Sequence, residues 1–208
     1  MHRSFINRTT LNRLVSGILL AASVTCLPTA RAEQAPVYRH VGDWSVLVDE
    51  TLNNGCFLVA SYEMGSIFRL GHDNTDDTYY VIIGNEDWRS IEVGKEYELA
   101  IYFGDEEPWT VPATGVTLGG GGHPFLAFNL GQSTNHGALL FIYEFMKERN
   151  VDIVYNGQSI SNLTLQGSYA AGEALIECTQ LMRERGRRRE DGGKDPFAAG
   201  GKKDPFAT

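Results

Sequence analysis

Short runs of β-branched and aromatic residues, separated by glycine and asparagine turns, recur through much of this chain at intervals of roughly 8–15 residues. They occupy residues 44–48, 56–62, 66–70, 78–83, 97–103, 109–111, 115–118 and 125–128. Closely spaced short strands usually pair with their neighbours along the chain and bury one face of the resulting sheet. The pattern therefore predicts a mainly β domain, built as an antiparallel sandwich or an open barrel.

Two helices are predicted in the C-terminal half. Residues 135–149 place apolar side chains at helical spacing, namely Leu139, Ile142, Phe145 and Met146. Residues 168–185 carry a second stripe behind a capping Ser168, and its members are Ala171, Ala174, Leu175, Cys178 and Leu181. Between the helices, Asn156-Gly157 supplies the positive φ angles of a two-residue turn, which predicts a hairpin of 151–155 with 159–165.

The first 32 residues have the three parts of a secretory signal peptide. A basic segment without acids is followed by an apolar run at 14–24 and by Ala30-Arg31-Ala32, small residues at the positions that signal peptidase reads. The apolar run is shorter than the roughly 20 residues needed to cross a bilayer. We expect cleavage after Ala32 and a periplasmic or secreted mature protein.

Cys26 leaves a second processing route open. A lipidated cysteine usually follows a small residue such as Gly or Ala, with Leu three positions before it, whereas Thr25 precedes Cys26 and Ser23 holds the earlier position. Soluble export is therefore favoured over a lipoprotein. Lipidation of Cys26 would place the protein on a membrane.

Cleavage after Ala32 leaves two cysteines, Cys56 and Cys178. In an oxidising compartment an even pair indicates a disulfide, here across a sequence separation of 122 residues. A loop of that length is worth about 4–5 kcal/mol in the chain-entropy description. The alternative is two buried free thiols, and the absence of a Cys-x-x-Cys motif argues against a redox site.

Charge is distributed unevenly along the chain. Residues 33–180 carry 21 acidic and 6 basic side chains, a net charge of −15. This excess argues against nucleic acid or an anionic membrane as a partner of the folded part, because phosphate contacts need Lys and Arg. It favours cations or basic partners, or simply keeps an exported domain soluble.

The predicted organisation is a signal peptide at 1–32, one β-rich domain at 33–182 and a disordered basic tail at 183–208. The tail repeats Lys-Asp-Pro-Phe-Ala, and its candidate partner-binding residues are Asp195, Pro196, Phe197, Asp204, Pro205 and Phe206. Pro restrains the backbone, Phe supplies an anchor and duplication raises avidity. Alternatively, the tail arginines at 183, 185 and 187–189 bind an anionic envelope polymer or a membrane surface, or the tail is merely solvated.

No catalytic residue, metal ligand or cofactor is predicted. The Gly119–Gly122 run lacks the Lys-Ser/Thr of a phosphate loop, and residues 72–77 lack the spacing of a calcium loop. Neither the histidines nor the serines have metal-site or nucleophile-elbow spacing; these are His40, His72, His123, His136, Ser61, Ser66, Ser133 and Ser168. The carboxylate pairs Asp76-Asp77 and Glu106-Glu107 could act as acid and base only if a cleft joined them.

A family resemblance involves the two ends of the predicted domain. Asp43-Trp44, Cys56 and the run 163–171 with Cys178 resemble the invasion-associated locus B family, small exported proteins mostly from alphaproteobacteria. The resemblance covers residues 43–180 and implies a β-rich envelope or secreted domain linked to host-cell interaction, with no enzyme activity. The acidic charge and the tail repeats depart from that family.

These observations favour an exported, non-enzymatic binding or host-interaction module whose partner is a protein or an envelope polymer. One alternative is a structural envelope component tethered through its basic tail. Another is a hydrolase whose site is assembled from loops. A cleft joining two carboxylates, or a serine with a histidine, would favour the hydrolase.

Overall fold

The computed structural model describes residues 35–118 and 122–192, with side chains as far as Arg188. The strands are β1 Val37–Val41, β2 Trp44–Asp49, β3 Gly55–Ser61, β4 Ser66–Asp73, β5 Thr78–Asn85, β6 Glu96–Phe103, β7 Trp109–Thr117, β8 Pro124–Gln132, β9 Asn150–Tyr155 and β10 Gln158–Thr164. The helices are α1 His136–Lys147 and α2 Ser168–Gly192, and single 3-10 turns lie at Glu50–Leu52 and Glu63–Gly65. The predicted signal peptide and the Asp-Pro-Phe repeats lie outside the described residues.

The ten strands of the described residues belong to one open antiparallel sheet, in the order β1-β2-β3-β4-β5-β8-β7-β6-β9-β10. The mainly β class with two helices in the C-terminal half is thus confirmed. Both helices pack on one face of the sheet, α2 against β1 to β3 and α1 against β8, and they also pack against each other. This covered face holds the hydrophobic core, because strands alternate buried and exposed residues with a period of two.

Aromatic rings fill the space between the sheet and α1. Phe68 and Phe145 stack with ring centroids 5.4 Å apart, and Trp44 meets Phe145 edge-on at 5.3 Å. The indole of Trp44 donates a hydrogen bond to the carbonyl of Gln166 at 2.9 Å. Trp44 is therefore a core residue that also links β2 to the segment leading into α2.

The buried stripe of α1 consists of Ala138, Phe141, Ile142 and Phe145, with Asn135 as its N-cap. Leu139, which the sequence pattern placed in the stripe, is 48% exposed, so that assignment was wrong. The pattern omitted Phe141, whose ring packs against Phe103, Trp109 and Phe128. Packing this large ring inward turns Leu139 to the outer side of the helix.

A disulfide joins the last helix to an early strand, with the Cα atoms of Cys56 and Cys178 6.0 Å apart. This is the pairing that the sequence predicted. Both cysteines are fully buried, and the α2 residues on the same stripe, Ala171, Ala174 and Leu175, are buried as well. The bond therefore lies within the contact between α2 and β3.

Several boundaries differ from the sequence prediction. Strand β1 was not predicted, and the segments 109–111 and 115–118 form the single strand β7. Pro112 lies inside β7, but β8 pairs with that strand only from Thr114 onward, so no pairing on that side is lost. Ser168 does not cap α2, since its hydroxyl donates to the carbonyl of Met146 at 3.4 Å.

Helix α2 continues past the domain boundary predicted at residue 182, as far as Gly192. Arg and Glu, which dominate residues 183–190, are good helix formers, and a helix already nucleated against the sheet extends at little cost. Within the described residues, no helix combines the length and apolarity needed to cross a bilayer.

Candidate functional site

A polar cluster lies where the loop between β4 and β5 meets α2. His72 is fully buried at the end of β4, and Nδ1 is 2.9 Å from Oδ1 of Asn74. Nε2 lies 3.0 Å from Oδ1 of Asp77 and 3.2 Å from Nη2 of Arg183. Burial first, and then the Arg183 charge, lower the pKa of His72 to about 4. The ring is therefore neutral near pH 7, and Nδ1–H donates to Oδ1 of Asn74, whose amide nitrogen donates to the carbonyls of Asn53 and Asn54.

Arg183 connects α2 to two loops. Its guanidinium forms an ion pair with Asp77 and donates to Oγ of Ser133 at 3.2 Å. The two loops are also joined directly, because the backbone N–H of Ser133 donates to the carbonyl of Asp77 at 2.8 Å. Asp77 is the last residue of the turn between β4 and β5, where it adopts a left-handed φ of 58°, and its side chain is 49% exposed beside Arg183.

Beside this cluster is a cavity of about 810 Å³, which we call the arginine pocket. Its lining residues are Asn53, Asn54, Asn74, Asp77, Met182, Arg183, Arg185, Gly186, Arg187 and Arg188. Asn53 and Asn54 have positive φ angles, and their carbonyls accept hydrogen bonds from the side-chain amide of Asn74. These hydrogen bonds hold together the wall of the arginine pocket that lies opposite α2.

The arginine pocket is strongly positive. Asp77 offsets the charge of Arg183, whereas Arg185, Arg187 and Arg188 are exposed and pair with no carboxylate among the side chains that the structure describes. Guanidinium groups bind carboxylate and phosphate oxygens through paired N–H donors. The pocket is suited to an anion, in contrast to the acidic surface of residues 33–180.

The structure separates most of the polar residues considered in the sequence. Ser133 and His72 both contact Arg183, which lies between them. His40 Nδ1 lies 2.9 Å from Oγ of Ser45, but this is an exposed cross-strand pair between β1 and β2.

The remaining candidates lie apart as well. His123 and His136 are exposed, and Glu106 pairs with Lys147 at 3.5 Å, away from Asp77. In the described part of the chain, no three His, Cys, Asp or Glu side chains cluster closely enough to hold a metal ion. Gly119–Gly121 and the six candidate tail residues lie outside the described ranges.

Comparison with protein-family models, with curated proteins and with solved structures found no match. The site is therefore interpreted from its own geometry. Sequence reasoning identified the arginines but not their link to His72, because the contact joins residues 111 positions apart. Only the length of α2 beyond Cys178 brings Arg183 to the β4–β5 loop.

Proposed function

We propose that this chain is an exported, non-enzymatic envelope or periplasmic binding protein, and that its arginine pocket holds an anionic group of an envelope polymer. The observation that carries the proposal is the anchoring of Arg183 by Asp77 and Ser133, which holds α2 with its following arginines against one wall of amides. A basic segment held in this way is better organised for binding than a free tail.

Export is supported by two independent features. The N-terminal pattern is typical of a signal peptide, and Cys56 and Cys178 form a buried disulfide, a bond that persists in oxidising compartments. The resemblance to invasion-associated locus B proteins implies the same location. Mass spectrometry of the mature N-terminus tests this, since a peptide beginning at Glu33 is expected and an acylated Cys26 would contradict soluble export.

A binding role accounts for the polar cluster better than hydrolysis does. His72 is neutral, buried and engaged at both ring nitrogens, and the guanidinium of Arg183 separates it from Ser133. A general base needs direct access to the proton that it removes. The cluster instead positions Arg183.

The binding proposal is tested with the mature protein and two soluble anionic polymers, polygalacturonate and polyphosphate. Replacing Arg185, Arg187 and Arg188 together with Gln is expected to weaken binding at least about tenfold and to flatten its salt dependence. The matched control replaces Arg39, Arg89 and Arg149 with Gln, which removes the same charge elsewhere. Equal weakening by both triple variants, or no binding of either polymer, would contradict a specific pocket.

The structural-envelope alternative uses the same arginine pocket but predicts a different distribution of the protein. Most of the exported protein would sediment with the cell envelope and be released by high salt. A soluble binder would stay mainly in the periplasmic or secreted fraction. Fractionation of cells producing the wild-type and the Arg185/Arg187/Arg188 variant distinguishes the two.

A further inference from the structure

Strand β10 is an edge of the sheet and pairs only with β9 among the described strands. Leu165 N–H donates to the carbonyl of Arg149 at 2.7 Å, so these two residues are a hydrogen-bonded pair at the end of the β9–β10 ladder. Hydrogen-bonded and non-hydrogen-bonded residue pairs alternate along an antiparallel ladder. The backbone N–H and C=O groups of Asn162 and Thr164 therefore point away from β9. The Thr164 carbonyl accordingly accepts from the hydroxyl of Tyr62 at 2.9 Å.

A groove of about 920 Å³ runs beside this edge, between β10 and the turn Glu63–Gly65. One end is closed by the hydrogen bonds from Trp44 to Gln166 and from Tyr62 to Thr164. The lining of the groove continues along β10 through Ser159–Asn162. The outward N–H and C=O of Asn162 therefore lie along this groove, and a strand added to β10 would run about 4.8 Å from it.

The opposite wall presents one prominent apolar side chain. Met64 is 86% exposed and has a φ of 67°, a left-handed conformation that costs a non-glycine residue about 1 kcal/mol or more. The turn is held in place because Asn85 Nδ2 donates to the carbonyl of Met64 and to Oγ of Ser66, both at 2.8 Å. The backbone of Met64 is therefore fixed while its side chain is exposed beside the edge of β10, where it can serve as an apolar anchor for a bound chain.

The charge of the groove indicates which chain fits. Its charged lining residues, in the described part of the molecule, are Asp43 and Glu63. Burial first, and then the nearby Asp43 charge, raise the pKa of Tyr62, so its hydroxyl stays protonated and keeps its bond to Thr164. Basic side chains on an added strand would therefore be attracted by these two carboxylates, and no basic residue in the described lining of the groove would repel them.

We propose that β10 binds an extended peptide segment with alternating basic and apolar residues by strand addition. The peptide backbone pairs with Asn162, an apolar side chain contacts Met64, and a Lys or Arg faces Glu63 or Asp43. This mode uses main-chain hydrogen bonds for affinity and alternate side chains for specificity. The groove is separate from the arginine pocket, and its polypeptide partner is of opposite charge to the polymer proposed there.

The test uses the mature protein and a fluorescent, N-acetylated peptide of about seven residues alternating Val and Lys, with a Val-Glu peptide of the same length as control. Asn162→Pro removes the outward N–H without breaking a bond to β9, whereas Asn162→Ala keeps that N–H. We expect Asn162→Pro to weaken binding at least tenfold and Asn162→Ala to leave it within about twofold. The Val-Glu peptide should bind at least tenfold more weakly than the Val-Lys peptide.

Met64→Gly provides a variant that must fold, because glycine adopts the positive φ without strain. It should unfold at the same temperature as wild type or higher, yet bind the Val-Lys peptide several-fold more weakly. Failure of the Val-Lys peptide to bind, equal binding by all variants, or equal binding of the two peptides would each overturn the proposal. So would sedimentation showing that β10 pairs with a second copy of the chain, detected as a dimer lost in Asn162→Pro.

Discussion

Arg183 illustrates how one side chain can join three parts of a fold. Its guanidinium contacts Asp77, Ser133 and His72, which come from two loops and a strand end. Each residue is unremarkable in the sequence, and His72 in particular lacks a motif. Their association could not be predicted, because it depends on where the last helix lies against the sheet.

Protonation of His72 should make stability depend on pH. Because its folded pKa is about 4 and its unfolded pKa about 6.5, the unfolded chain binds the proton first. The free energy of unfolding should fall by about 2 kcal/mol from about pH 7.5 to about pH 5, with the loss levelling off below pH 4. Urea unfolding across this range is the measurement, and His72→Gln should remove that part of the slope. An unchanged slope in the variant would show that His72 is not responsible.

A second residue-level prediction concerns Thr179 on α2. Its hydroxyl is buried and has no hydrogen-bond partner among the described residues. An unsatisfied buried polar group costs about 1–3 kcal/mol, so Thr179→Val, of nearly the same shape, should stabilise the protein by about 1 kcal/mol. Calorimetry should show a higher melting temperature. Thr179→Ser retains the hydroxyl and should show no gain; a gain there would point to a different cause.

At the scale of elements, the presence of a strand was easier to predict from the sequence than the residues at which it begins and ends. Nine of the ten strands follow from alternating apolar runs and from turns such as Asn156-Gly157, whose φ angles are 49° and 75°. Strand β1 was not predicted because Val37–Val41 is an edge strand with mostly exposed residues, so its sequence shows little hydrophobic alternation. The end of α2 was missed because charge suggested disorder where helix propensity prevails.

The extension of α2 should stabilise the domain mainly through Arg183. Arg183→Gln removes the half-exposed ion pair to Asp77 and the hydrogen bond to Ser133, and should lower the free energy of unfolding by about 1 kcal/mol. Arg185→Gln, two residues further and without an ion pair among the described side chains, should change it by less than about 0.5 kcal/mol. A chain ending at residue 182 should match Arg183→Gln in chemical denaturation. A much larger loss on truncation would mean that other residues of the extension support the fold.

In the molecule as a whole, most strand pairs join neighbours along the chain, whereas one disulfide links two residues that are far apart in the sequence. Most neighbouring strands are joined by hairpins, while β5 pairs with β8 and β6 with β9 across intervening elements. The disulfide connects residues 122 positions apart and attaches the final helix to β3. Mainly β architecture and the cysteine pairing could both be predicted, whereas the strand order could not, because local patterns do not specify which distant strands meet.

Replacing both Cys56 and Cys178 with Ser should destabilise the protein by about 4–5 kcal/mol, because the unfolded chain regains the entropy of a long open loop. Guanidinium unfolding of the oxidised protein and of the double variant gives this difference. Val replacements at the same two positions separate the covalent effect from the burial of hydroxyl groups. Equal stability of the oxidised protein and the Val variant would mean that packing, rather than the bond, holds α2.

If the chain is exported as proposed above, the position of that bond also constrains its maturation. An N-terminus-first passage through the membrane delivers the Cys56 thiol long before Cys178, which belongs to the last helix. During translocation the first thiol has no intramolecular partner and is open to capture by a thiol oxidase. The proposed cleavage after Ala32 would remove Cys26, and the two remaining thiols would admit a single internal pairing. Maturation then requires an oxidant but no isomerase.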